Sequence, residues 1–196
     1  MGFVFVMFQP KVKLEFVRRY CAPKSGWRVF VDIDASEEGR TGGDRTTTEA
    51  RQIQELMRTE GASARRALGE LGVHVGGNRR AWATNNELPV IEGDRDIVVF
   101  HVATRRCLIA EVEGKSTGQP EQKLYKAIGQ IVMATGHELP NGWDVRFVLV
   151  VNGDAISRHL DQARTLEKLG ISGLSLDVSV KNDRWAFGKR LSLKSA

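Results

Sequence analysis

Two glutamates separated by one residue, Glu111 and Glu113, close the apolar run CLIA in the stretch AEVEGKSTG. On a strand, alternate residues share a face, so the pair projects together while Ala110 and Val112 pack on the opposite side. Two carboxylates so placed repel each other, and without a cation one tends to keep its proton. A hard divalent cation with oxygen ligands removes that repulsion. Upstream, Asp94 and Asp96 open a second apolar run, DIVVFHV, again one residue apart. The ATRR segment between the runs reads as a hairpin turn, and pairing across it brings Asp96 or Asp94 near Glu111.

The same stretch ends in GKST, the closing residues of a phosphate-binding loop. That loop needs glycine five residues before Gly114, where this chain has Ile109. Glu111 and Glu113 would also turn negative charge toward a polyphosphate. The nucleotide reading therefore fails on spacing and on charge. The four histidines, His74, His101, His137 and His159, have no ligand or triad spacing, and Ser116 and Thr117 have no evident general base. Two cysteines, Cys21 and Cys107, form neither a metal cluster nor a disulfide framework, which fits a reduced compartment and a cytoplasmic location.

The elements that must position the acids follow from periodicity. KVKLEFVRRY and WRVFVDID read as strands by alternation and β-branched content. A polar, glycine-rich stretch, EEGRTGGDR, follows as a loop or linker, so residues 1–43 are expected to form a β-rich extension and 44–196 the main domain. From Thr46 onward an apolar stripe of Ile53, Leu56, Met57, Leu68 and Leu71 predicts a helix, either continuous or broken at Gly61. The two apolar runs form the hairpin. QPEQKLYKAIGQIVMATG is a helix with Pro120 in its first turn and Gly136 at its end. VRFVLVV is a buried strand, DAISRHLDQARTLEKLG a helix between Asp154 and Gly170, and LSLDVSV a last core strand before a basic tail. This order describes an α/β protein with a mixed central sheet flanked by helices.

An acid before an apolar strand, then a strand ending in acid-x-(acid or Lys), then a helix, resembles the PD-(D/E)xK nuclease superfamily, of which restriction endonucleases are the best-known members. Residues 94–130 carry the resemblance, and the order of elements extends it to about 44–180. It implies a restriction-endonuclease-like αβββαβ core. Asp96 matches the first acid, with Asp94 as the alternative, and Glu111 matches the second. Glu113 then stands where the family usually has lysine. The other register takes Glu113-Gly114-Lys115 as acid-x-Lys, with Glu111 as an extra carboxylate. Arg95 stands in place of the proline. By the resemblance, Asp96, Glu111, Glu113 and Lys115 are the catalytic residues. Asp96, Glu111, Glu113, Asp94 and Glu49 are the candidate metal ligands; Glu49 is drawn from the apolar stripe of the first helix. Gln122, Lys126 and Gln130, spaced by four on the following helix, approach the phosphate.

The resemblance implies a Mg²⁺-dependent endonuclease, with Mn²⁺ as substitute, that hydrolyses DNA in restriction or repair, and for a duplex cutter a homodimer. The alternative is a nuclease fold without turnover that binds nucleic acid or assembles with a partner. Net charge +5 and a pI near 9.4 favour a polyanionic partner. Arginine doublets, including Arg105-Arg106 at the hairpin turn, would contact backbone phosphates. The apolar opening MGFVFVMF is too short to span a bilayer.

Overall fold

Alternation in the central hairpin sets the layering. In the computed structural model, β3 (Ile97–His101) and β4 (Arg106–Glu113) are antiparallel, with Ile97 opposite Ala110. Cys107 and Ile109 join a core with Phe100, Leu124 and Ile131, while Leu108, Ala110 and Val112 join a second core with Val12, Phe16 and Leu68. Both faces of the hairpin are therefore covered, which is why its runs are almost wholly apolar. The structure describes residues 8–21, 26–34, 37, 47–114, 120–137, 139–152, 159–177 and 183–190.

In chain order the elements are α1 (Gln9–Phe16, continuing as a π turn over Val17–Cys21), β1 (Trp27–Val31), α2 (Thr48–Glu70), β2 (His74–Val75), α3 (Arg79–Asn85), then β3 and β4. These are followed by α4 (Pro120–Thr135), β5 (Asp144–Val151), a 3-10 helix (Asp161–Leu169), β6 (Ile171–Ser175) and β7 (Arg184–Phe187). One sheet of seven strands runs in the order β2-β1-β3-β4-β5-β6-β7. The pairs β4–β5 and β5–β6 are parallel and the pairs β1–β3, β3–β4 and β6–β7 antiparallel, so the sheet is mixed. Helices α1 and α2 cover one face; α3, α4 and the 3-10 helix cover the other. Among the described residues, no helix is long and apolar enough to cross a membrane.

The elements differ from the sequence reading at several points. KVKLEFVRRY is helical, not a strand. Its Lys, Leu and Glu favour helix, Pro10 sits in the first turn, and Val12, Lys13, Leu14 and Phe16 are all buried. A helix buried nearly all round has no single apolar stripe to betray it. Residues 8–37, inside the expected N-terminal extension, supply α1 and β1, and β1 is hydrogen-bonded to β3 within the one sheet. Helix α2 runs unbroken through Gly61, which is buried, and the Thr47 hydroxyl caps it by accepting from the Ala50 N–H at 3.1 Å. The segment before Gly170 is a 3-10 helix ended by Gly170 at φ 74°; Asp154 lies outside the described residues. The last strands are β6 and β7, with β7 drawn from the tail.

Candidate active site at the strand ends

Parallel strands β4 and β5 end together, and open α/β sheets place ligands beyond such carboxyl ends. Backbone hydrogen bonds frame this edge. The Asp32 N–H, just past β1, donates to the Asp96 carbonyl at 2.8 Å, and the Asn152 N–H donates to the Glu113 carbonyl at 3.0 Å. The β3–β4 register carries Asp96, one residue before Ile97, to the position facing Glu111. Glu111 and Glu113 lie on one face of β4, only 1% and 6% exposed. The structure thus brings together the three acids Asp96, Glu111 and Glu113.

An internal lysine completes the arrangement. Helix α1 packs on α2 and β4 and buries Lys13, 1% exposed, with its ammonium at the strand edge. Lys13 Nζ lies 2.7 Å from Asp96 Oδ1 and 2.6 Å from Glu37 Oε1, and donates to the Asp32 carbonyl at 2.7 Å. The other Asp96 oxygen accepts the Val112 N–H at 2.7 Å. Glu37 is held in turn by Asp34, whose N–H donates to Glu37 Oε2 at 3.2 Å and whose carboxylate accepts the Glu37 N–H at 2.8 Å. On the far side, Arg95 Nη1 stands 3.5 Å from Glu111 Oε1, an ion pair without hydrogen-bond geometry. Glu111 Oε1 and Glu113 Oε2 are buried with no hydrogen-bond partner.

The charges respond to this confinement. Burial pushes the Glu111 carboxyl up to about 9; the Asp96 carboxylate adds to the rise, and Arg95 and Lys13 offset it only in part. Burial likewise carries Glu113 up to about 7, against the pull of Lys123 and Lys126 from α4. Glu37 is raised to about 7, again by burial, with Lys13 opposing. Burial alone would lower the Lys13 ammonium, but Asp96 and Glu37 outweigh it and hold its pKa above the ordinary lysine value. The edge therefore holds more carboxyl groups than its resident cations can keep ionised.

The other expected site residues sit elsewhere. Asp94 is exposed and its carbonyl accepts from Arg95 at 2.8 Å. Glu49 is exposed in the first turn of α2, and among the described residues no hydrogen bond or ion pair joins it to the three acids. Gln122 and Lys126 are exposed and Gln130 half-buried on α4, with Lys126 close enough to Glu113 to lower its pKa. Arg105 and Arg106 occupy the opposite end of the hairpin. Lys115 lies outside the described residues. Sequence reasoning misses Lys13, Glu37 and Lys123. Lys13 gives no usable signal, being far from the acids along the chain; Lys123 sits beside Gln122, on the helix whose spacing already points to the site.

Two carboxylate oxygens without hydrogen-bond partners and a third acid at one edge offer the all-oxygen donor set that a hard divalent cation takes. Among the described residues, however, no group of three or more His, Cys, Asp or Glu side chains is arranged to hold a metal ion as it stands. Lys13 already neutralises one oxygen of Asp96. The chain matches no family model, no curated protein and no solved structure.

Proposed function

We propose that the protein is a metal-dependent nuclease that hydrolyses phosphodiester bonds of DNA, built on a restriction-endonuclease-like core. The observation that carries this reading is the acidic strand edge where Glu111 and Glu113 are buried beside Asp96, with one oxygen of each glutamate lacking a hydrogen-bond partner. Asp96, Glu111 and Glu113 would hold Mg²⁺, or Mn²⁺ in its place. Bound there, the ion supplies Lewis-acid chemistry, polarising the phosphodiester and acidifying a water. Lys13 orients Asp96 and Glu37 through its two ion pairs. Lys123 and Lys126 flank Glu113 and would stabilise the negative charge that grows on the phosphate as water attacks and the P–O bond breaks. The basic surface supplies affinity for the backbone.

One feature favours a second reading, a nuclease fold that binds nucleic acid without turnover. Lys13 already bridges Asp96 and Glu37, and among the described residues the acids are not gathered into a ready three-ligand group. Supercoiled-plasmid nicking in Mg²⁺ or Mn²⁺ against EDTA separates the two. Metal-dependent nicking that is lost in Glu111→Ala supports the enzyme. DNA binding with no nicking in either metal supports the silent module.

A further inference from the structure

Beside the acidic edge, on the α3 side of the sheet, lies a cleft of about 270 Å³. Three arginines line it: Arg79, Arg80 and Arg95. Arg80 is turned to the rim, where it pairs with Glu92 at 2.7 Å and both side chains are mostly exposed. The other two are deeper. Arg79 donates to the carbonyls of Ile91 and Gly93, which fixes its guanidinium at the wall. Arg95 is 5% exposed; its Nη1 donates to the Asp94 carbonyl, yet its Nε has no hydrogen-bond partner. A guanidinium is an all-donor fork that matches the oxygens of a phosphate. Half-buried Arg79 and buried Arg95 share a wall: burial lowers the Arg79 pKa, the neighbouring Arg95 adds to that, and Asp94 and Asp32 on the same cleft oppose it. Glycine at 93 is what lets Arg95 reach this position, since a Cβ there would stand 2.8 Å from its Nη2. Gly77, also on the wall, leaves open space where a side chain would stand.

We infer that this cleft is a phosphate subsite, in which the guanidinium groups of Arg79 and Arg95 bind the oxygens of a DNA backbone phosphate next to the one being cut. The inference rests on the nuclease reading for its DNA source but not for the site. Arg95 joins the two regions, lining the cleft while it pairs with Glu111 at 3.5 Å. A strand whose phosphate is seated here would be held one step from the acidic edge.

Titration calorimetry of the full chain with inorganic phosphate in EDTA tests the site without metal or cleavage. The expected dissociation constant is about 1 mM or tighter. Arg79→Ala should weaken it at least about tenfold, the loss of a charge-assisted pair. Arg79→Lys keeps the charge but not the fork and should fall between. No phosphate binding by the wild-type chain, or unchanged affinity in both folded variants, overturns the inference. Metal-free binding of short duplexes with a 5′-phosphate or a 5′-hydroxyl end identifies the source. Weakening by Arg79→Ala only for the phosphorylated end assigns a terminal phosphate; equal weakening assigns an internal one; weakening for neither overturns the DNA assignment. Phosphate binding with no plasmid nicking would instead remove the nuclease reading and leave the subsite standing.

Discussion

The two ends of the β3–β4 hairpin carry similar densities of charge and treat it in opposite ways. At the strand ends, Glu111, Glu113 and Lys13 are enclosed beside half-buried Asp96, and the two glutamates hold protons up to about 9 and about 7. At the turn, Arg105 is exposed at φ 49° and Arg106 meets Asp144 only at 4.0 Å, with both partners more than a third exposed. Eight residues of β4 separate the ends, roughly 23 Å at strand rise. Water decides the difference. Solvated charges lose their field to the solvent, and an exposed pair contributes about 0–1 kcal/mol. Enclosed ones must be paired, protonated or given a cation.

The strongest way to break this contrast is Lys13→Met. It leaves Asp96 and Glu37 enclosed without their cation, and removing one member of a buried pair costs about 3–5 kcal/mol. Urea unfolding should show that loss. A change below about 1 kcal/mol, the scale of an exposed pair, would mean that the strand-end charges are solvated after all.

Next in size is catalysis. Glu111→Ala should lower metal-dependent nicking at least about a hundredfold, near 3 kcal/mol in the barrier, with the fold intact by circular dichroism. Glu113→Gln against Lys115→Ala separates the two registers. If Glu111 and Glu113 are the motif acids, the former is the more damaging; if Glu113-x-Lys115 is the motif, Lys115→Ala matches Glu111→Ala. Full nicking in Glu111→Ala removes Glu111 from the site.

The protons sharpen the comparison. A carboxyl whose folded pKa lies above its unfolded value binds more protons folded than unfolded between the two, so stability falls as pH rises across that window. For Glu111 the window runs from 4.5 to about 9, and for Glu113 and Glu37 from 4.5 to about 7. In EDTA the melting temperature should therefore decline steadily from pH 5 to about 9, and Glu111→Gln should flatten the upper part of that decline. Added Ca²⁺ should restore stability most at the alkaline end, where the acids are ionised. A melting temperature that climbs from pH 7 to 9 would contradict the burial of these acids.

The smallest effect is expected at the turn. Arg105→Ala/Arg106→Ala should change stability by no more than about 0.5 kcal/mol. If the turn touches DNA, the log–log salt slope of binding should become shallower by about one for each phosphate that the variant no longer neutralises. An unchanged slope would place the DNA path away from the turn.

Several elements are legible in the sequence because one face or both faces of a regular element must be apolar. The runs 97–101 and 106–113 can be paired from the ATRR turn alone, and a period of two then forces Glu111 and Glu113 onto one face. Helix α2 is visible in its stripe, though the glycine at 61 suggests a break that packing overrides. Helix α1 reads as a strand because Val12, Leu14 and Phe16 alternate like one, while its burial comes from both the sheet and α2. The two-residue β2, the seven-residue α3 and the four-residue β7 are too short to set a period.

The amino-acid sequence by itself determined the hairpin, the shared face of Glu111 and Glu113, and the approach of Asp96, because these depend on strand period and one short turn. Only the tertiary structure decided which other charged groups meet those acids. Lys13 and Glu37 reach them from a helix and a loop far away in the chain, where no local rule relates the positions, and Arg95, though next to Asp96 in the chain, pairs across the edge with Glu111. The proton affinities were decided there as well, since a carboxyl's pKa follows its enclosure and neighbours rather than its place in the chain.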